Sequence, residues 1–146
     1  MRYVYPCELT LDEGGWYLVT FPDVPEAGTD AKTREEALAL AEDALGVALG
    51  GYVRMRLPVP APSEPAAGQY PVALAPVIAA KLALYSAMRQ QGLSNVAMAA
   101  KLGLTEGAVR KLISPDHRSH IGQVQTALKL LGRCMVLEDQ LAPAAE

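Results

Sequence analysis

The chain has 146 residues, of which 51% are hydrophobic, 20% charged and 5% aromatic, and its formal net charge is −3. That length allows one ordinary domain or two small ones, and the apolar fraction excludes a disordered chain. No apolar run reaches the roughly 18 residues of a membrane helix, no secretory signal is visible, and two cysteines cannot make a disulfide framework. These features predict a cytoplasmic protein that makes no contact with a membrane.

Charge is distributed unevenly along the chain. Residues 1–70 carry a net charge of −6, residues 71–146 carry +3, and the segment 77–133 alone carries +6. An acidic half joined to a basic half indicates two separate functions, the second of them near a polyanion such as nucleic acid.

The first half begins with a pattern typical of a small sheet. Residues 2–11 alternate between apolar and polar side chains, which predicts a half-buried strand with Pro6 at an edge or a bulge. A turn over 12–15 leads into a second strand over 16–21. Two further short strands are predicted over 27–32 and 69–74.

A helical period follows the third predicted strand. Thr33 and Glu36 have the spacing of a capping box, and apolar residues recur at helical spacing until Gly50 and Gly51, where the helix is expected to end. The proline-rich residues 58–68 are predicted to form a semi-rigid loop.

From residue 76 onward the sequence predicts only helices. Their predicted ranges are 77–91, 95–102, 106–113 and 121–131. The fold class is therefore α+β. We predict a small sheet with one helix over residues 1–74, an all-α domain over 75–141, and a tail over 142–146.

Residues 95–113 match a helix-turn-helix motif. Ala99 falls where the two helices nearly touch, and Gly103 stands at the turn, where glycine adopts a left-handed backbone most easily. The predicted shared core consists of Met98, Leu102, Leu104, Val109 and Leu112. In such a motif the second helix enters the DNA major groove. The alternative is a plain helical bundle in which this spacing is incidental.

The open face of this motif and its flanks supply a set of predicted DNA-binding residues. They are Asn95, Lys101, Thr105, Glu106, Gly107, Arg110, Lys111, His117 and Arg118. Glu106 is expected to accept a hydrogen bond from cytosine, and Arg110 to donate to guanine. The expected phosphate contacts are Lys101, Lys111, His117, Arg118 and the helix start near Asn95.

Other chemistry is weakly indicated. His117 and His120 lie beside Asp116, but no further ligand is nearby in the sequence, so a solvated loop is favoured over a metal site. Cys7 and Cys134 are predicted to be core thiols. We predict no catalytic residue, no metal ligand and no cofactor.

The order and spacing of several segments resemble the HicB antitoxin family, in the branch that carries a C-terminal helix-turn-helix domain. These segments are WYLVTFPDVP at 16–25, TREEA at 33–37, KLALY at 81–85, AAKLG at 99–103 and SPDH at 114–117. The resemblance covers nearly the full length of the chain.

This resemblance implies a partial RNase H-like fold over residues 1–74, which binds a HicA-like toxin, an mRNA-cleaving RNase. A true RNase H needs several carboxylates around divalent metal, whereas Glu8 is the only acid inside the first strand, so a scaffold without catalysis is expected. Residues 75–141 are expected to bind operator double-stranded DNA as a homodimer or higher homo-oligomer, with the last helix and the apolar residues 134–137 as the dimer contact.

The sequence leaves two other functions open. One is a transcriptional regulator whose first domain senses a small ligand. The other is a metal-dependent nuclease of the RNase H-like kind, in which Glu8 would take part in the reaction.

Overall fold

The structure, a computed structural model, describes residues 1–142. Its strands are β1 (Val4–Leu11), β2 (Tyr17–Thr20), β3 (Gly28–Ala31) and β4 (Tyr70–Ala73). Its helices are α1 (Arg34–Arg54), α2 (Pro76–Gln90), α3 (Asn95–Leu102), α4 (Glu106–Ile113) and α5 (Ile121–Leu130). The predicted α+β class is confirmed. Of the predicted tail, residues 143–146 lie outside the described residues.

The contacts within the chain define two units. The first contains residues 1–49, 60–75 and the described residues from 139 onward, and the second contains residues 50–59 and 76–138. Helix α1 therefore contributes residues to both units. Within the described residues, none of the helices is both long enough and apolar enough to span a membrane.

The first unit is built on an antiparallel sheet with the strand order β3-β2-β1-β4. The first half of β1 pairs with β4, with Val4 opposite Ala73, and its second half pairs with β2, with Glu8 opposite Thr20. Tyr5 and Cys7 on one face of β1 are fully buried, but Pro6 between them is buried as well and Leu11 is 61% exposed, so the predicted alternation holds in only part of the strand.

Pro6 lies in an interior strand without interrupting a ladder of hydrogen bonds. It faces Pro71 of β4, and the Leu74 amide donates to the Tyr3 carbonyl at 3.1 Å. Because hydrogen-bonded and non-hydrogen-bonded pairs alternate in antiparallel strands, the Pro6–Pro71 pair occupies a non-hydrogen-bonded position. The pairing with β2 begins only at Glu8, so Pro6 stands at a local edge of β1.

Helix α1 begins as its sequence predicts and ends later. The Thr33 hydroxyl accepts a hydrogen bond from the Glu36 amide at 3.2 Å, as an N-cap does. The prediction that α1 ends at Gly50 and Gly51 is wrong, because the helix continues to Arg54. Gly50 is buried within the second unit, where an added Cβ would lie 3.4 Å from the Asp116 carboxylate and 3.7 Å from Pro115, so residues distant in the sequence surround it despite its poor helix propensity.

The proline-rich loop is tied to the first unit by side-chain hydrogen bonds. The Tyr5 hydroxyl donates to the Pro60 carbonyl at 2.7 Å, and burial raises the pKa of Tyr5 above its ordinary value, so the phenol remains a donor. The Ser63 amide donates to the Asp23 carboxylate at 2.8 Å. These bonds restrict the loop that the prolines already stiffen.

The second unit is held together by α2, which packs against both α5 and α4. The side chains buried along α2 and α5 are Ala80, Lys81, Leu82, Leu84, Tyr85, Ala87, Met88, Val124, Ala127 and Leu128. All but three of these residues are aliphatic, so α2 supplies an apolar surface against which α4 and α5 pack.

The two cysteines lie in different environments. Cys7 is fully buried in β1, as predicted, and burial raises the pKa of its thiol to about 11. The prediction that Cys134 is a core thiol is wrong, because α5 ends at Leu130 and the chain then runs exposed. Cys134, Val136 and Leu137 are exposed, the last two to 88% and 81%, and Met135 between them is half-buried.

We expect a thiol reagent such as dithionitrobenzoate at pH 8 to label Cys134 within seconds and Cys7 only after unfolding. Cys7 combines full burial with a thiolate fraction on the order of one in a thousand at that pH. The measurement is thiol release with time, with and without urea, in the unsubstituted chain and in Cys134→Ser. Rapid labelling of Cys7 in native Cys134→Ser would contradict the burial of β1.

Candidate nucleic-acid interface

Helices α3 and α4 are joined by residues 103–105, and a side-chain cap precedes each of them. The Ser94 hydroxyl accepts from the Ala97 amide at 3.0 Å, and the Thr105 hydroxyl accepts from the Ala108 amide at 3.1 Å. Gly103 has a φ of +66°, in the left-handed region. The caps Ser94 and Thr105 therefore set where α3 and α4 begin, and Gly103 sets where α3 ends.

The core between α3 and α4 differs from the prediction in one position. Ala99 and Met98 of α3 and Val109 and Leu112 of α4 are buried, whereas Leu102 is half-buried. Leu104 was predicted in this core and is 48% exposed. It follows the left-handed Gly103, and its amide donates to the Ala99 carbonyl at the end of α3, so its side chain is turned toward solvent.

The predicted DNA-binding residues all lie in the second unit and all remain accessible. The exposed ones are Lys101, Thr105, Arg110, Lys111, His117 and Arg118, and the partly exposed ones are Asn95, Glu106 and Gly107. Because Val109 and Leu112 face the core, Arg110 and Lys111 emerge on the opposite side of α4. Part of the Thr105 hydroxyl's bonding capacity is already used by the cap.

Three of these residues form a cluster at the start of α4. The Glu106 carboxylate lies 3.8 Å from the Arg110 guanidinium, and the Asn95 amide donates to Glu106 at 3.4 Å. An exposed ion pair at this i, i+4 spacing contributes only about 0.3–0.5 kcal/mol. The pair therefore orients Arg110 without preventing it from contacting another acceptor.

Lys81 of α2 has a structural role that the sequence pattern does not predict. Its side chain is 0% exposed, and its ammonium donates to the carbonyls of Lys111, Ser114 and His117 at 3.0, 2.9 and 2.5 Å and to the Ser119 hydroxyl at 2.8 Å. All four acceptors are neutral oxygens, and burial lowers the pKa of Lys81 below its ordinary value. The ammonium lies at the C-terminus of α4, where the helix dipole stabilises a cation.

The loop after α4 is held by a second interaction. Arg54 at the end of α1 forms an ion pair with Asp116, and both residues belong to the second unit. Asp116 thus has a basic partner beside the two histidines that the sequence places near it. Within the part of the chain that the structure describes, no three or more His, Cys, Asp or Glu residues are grouped so as to hold a metal ion.

Lys81 could have been found in the sequence by one signal. Leu84 and Tyr85 follow Lys81 at i+3 and i+4 and so lie on the same face of α2, and both are large and mainly apolar, which places the cation on a buried face. A lysine is fully buried almost only where it has partners. The partners themselves could not be predicted, because three of them are main-chain carbonyls.

Comparisons with known proteins agree with one another. Residues 4–83 match a family described as the HicB-like antitoxin of bacterial toxin–antitoxin systems. The chain is 40% identical over 133 residues to antitoxin HicB 2 of Photorhabdus laumondii, covering 91% of this chain and 94% of that protein. It is 32% identical over 129 residues to antitoxin HicB of Escherichia coli K12, covering 88% and 94%. It is also 32% identical over 143 residues to antitoxin HicB of Pseudomonas fluorescens, covering 97% of each.

We expect Gly103→Ala to lower the free energy of unfolding by about 1–2 kcal/mol, because a Cβ strains the left-handed backbone even though the space around it is open. The matched control is Gly122→Ala in α5, a helical position at which an added Cβ also has no atom within 4 Å. We expect this substitution to raise the free energy of unfolding by about 0.4–1 kcal/mol. Urea denaturation followed by circular dichroism measures both. Equal changes of the same sign in the free energy of unfolding would contradict a left-handed backbone at Gly103.

Proposed function

This chain belongs to the HicB-like antitoxin family, and we propose that it neutralises a HicA-like toxin with residues 1–74 and represses its own operon with residues 75–141. It acts in the cytoplasm, as a homodimer or higher homo-oligomer, and catalyses no reaction itself. The observation that carries the DNA-binding half of this proposal is the outward orientation of Arg110 and Lys111 on α4.

The polar face of α4 has the chemistry of a major-groove reader. Arg110 can donate to guanine in a bidentate manner, and Glu106 can accept from the cytosine amine of a neighbouring pair. Lys111 is placed to contact a phosphate, which adds affinity without sequence preference. A two-fold oligomer would present two such helices about one DNA turn apart.

The charges around α4 support contact with a polyanion. Both acids of the segment 77–133 are bound by an arginine: Glu106 by Arg110 and Asp116 by Arg54. Exposed cations remain on α3, on α4 and in the following loop at Lys101, Lys111 and Arg118. The local field is therefore positive on the side from which a nucleic acid would approach.

The first unit supports binding of a basic partner protein. Glu36, Leu40, Asp43 and Val47 recur at helical spacing on one exposed stripe of α1, and residues 35–49 contain no lysine or arginine. Leu40 and Val47 are 47% and 57% exposed. Carboxylates interleaved with exposed aliphatic side chains suit the surface of an RNA-binding toxin, which must itself be basic.

A scaffold role for the first unit is supported by what its acids contact. Glu8 accepts a hydrogen bond from Gln69 at 3.1 Å, and Asp23 accepts from the amide and hydroxyl of Ser63. These carboxylates hold the segment that connects α1 to β4. Their partners give them a structural role in place of the metal-binding role that a nuclease would require.

We expect Arg110→Ala to weaken binding to the operator by about 1–3 kcal/mol and to leave binding to unrelated DNA nearly unchanged. Lys111→Ala is expected to weaken binding to both DNAs by a similar factor. It should also reduce the slope of log K against log salt concentration by about 0.9. Fluorescence anisotropy at several salt concentrations measures both, with the DNA upstream of the chain's own reading frame as operator. If neither variant changes binding, α4 does not contact DNA.

We expect the short, basic product of an adjacent reading frame to co-purify with this chain. Replacing Glu36 and Asp43 together by lysine should slow its association about tenfold at low salt, because the steering charge on α1 is reversed. Stopped-flow or surface-plasmon kinetics give the rate. The control replaces Glu13 and Glu64, exposed acids in a turn and in the proline-rich loop, by lysine. Equal slowing by both pairs would exclude α1 as the specific contact.

A further inference from the structure

We infer that Lys81 is a positioning residue for DNA binding, which fixes the loop after α4 (residues 114–120) so that Arg118 faces a phosphate. This inference rests on the proposed DNA binding of the second unit. Lys81 does not itself reach the surface, because its side chain is fully buried. It acts through the main chain of the residues that do.

The loop contains few hydrogen bonds of its own. The Ser114 amide donates to the Lys111 carbonyl at 3.3 Å and the His117 amide to the Ser114 carbonyl at 3.2 Å, both longer than usual. The same two carbonyls accept the Lys81 ammonium at 3.0 and 2.9 Å. The charged donor on α2 therefore constrains the loop more strongly than the turn within it does.

The contacts of Lys81 bracket Arg118. The His117 carbonyl lies 2.5 Å from the ammonium and the Ser119 hydroxyl 2.8 Å, so the residues on both sides of Arg118 are drawn inward. Arg118 itself is exposed. With the Ser119 side chain committed to the interior, the guanidinium next to it is held on the outer side of the loop.

The requirement for a lysine follows from the set of acceptors. Three carbonyls and a hydroxyl need a donor with several protons, which an apolar side chain of similar length does not provide. The Lys111 and Ser114 carbonyls also accept amides of the loop, so the His117 carbonyl depends most on the ammonium. Leaving a buried carbonyl unsatisfied is costly, so without Lys81 this part of the loop is expected to turn toward water. Arg118 would then lose the position from which it meets the DNA backbone.

A double-mutant cycle tests this role. Operator binding and its salt dependence are measured for Lys81→Met, Arg118→Ala and the double variant, after circular dichroism has confirmed that each is folded. In the unsubstituted background we expect Arg118→Ala to weaken binding and to reduce the salt slope by about 0.9, as one lost phosphate contact does. In the Lys81→Met background the same substitution is expected to change neither quantity.

The control is Lys101→Ala in both backgrounds. Lys101 lies on α3, outside the loop, and is not one of the four residues that accept a hydrogen bond from Lys81. Its effect is expected to be the same with and without Lys81. A merely structural loss of stability would reduce the effects of Arg118→Ala and Lys101→Ala together, and that result would overturn the inference.

Other outcomes separate this inference from the proposed function. If Arg118→Ala has the same effect in both backgrounds while DNA is bound, Lys81 does not position it. If the unsubstituted chain binds no DNA, the proposed function and this inference both fail. Where Lys81→Met does not fold, Ser119→Ala replaces it in the cycle, since it removes one acceptor and leaves three carbonyls, and we expect it to reduce the effect of Arg118→Ala in part.

Discussion

The Lys81 ammonium and the main-chain carbonyls at the end of α4 form the interaction on which the second unit depends. A buried cation is unfavourable unless it is fully hydrogen-bonded, and a helix C-terminus leaves carbonyls without partners. Each group satisfies the need of the other, at distances of 2.5–3.0 Å. α2 is thereby joined to the end of α4 by a directional contact, whereas apolar packing alone would let the short helix α4 shift.

Acids of the two units have different surroundings. In the first unit several acids, Glu36 and Asp43 among them, lie on the exposed face of α1, and Asp23 accepts hydrogen bonds from Ser63 of the proline-rich loop. In the segment 77–133 the two acids, Glu106 and Asp116, are each bound by an arginine. The negative and positive charge of the two halves of the sequence is thus carried on the surfaces to which a toxin and DNA are proposed to bind.

Most of the elements could be predicted because their signals are local. Caps such as Ser94 and Thr105, the glycine at 103 and the alternation along β1 each act within a few residues. The errors arose where distant contacts decide. Gly50 is helical despite its poor propensity and is buried beside Asp116, and Lys81 is buried against carbonyls 30 or more positions away. Cys134 lies in an apolar segment and is nevertheless exposed, so hydrophobicity alone was not enough to predict its burial.

In the candidate site, the sequence predicts which side chains are accessible but not how they are oriented. Which residues of α4 are accessible follows from the helical period, so Arg110 and Lys111 could be predicted. Which of them are oriented could not, because orientation comes from Glu106 and Asn95 for Arg110 and from Lys81, through the main chain, for the loop that carries Arg118. A base contact needs a side chain held in a narrow range of directions, whereas a phosphate contact tolerates more freedom. The weak Glu106–Arg110 pair therefore suits a reader of sequence, since it restricts the guanidinium in the free protein and costs little to rearrange when a guanine replaces the carboxylate.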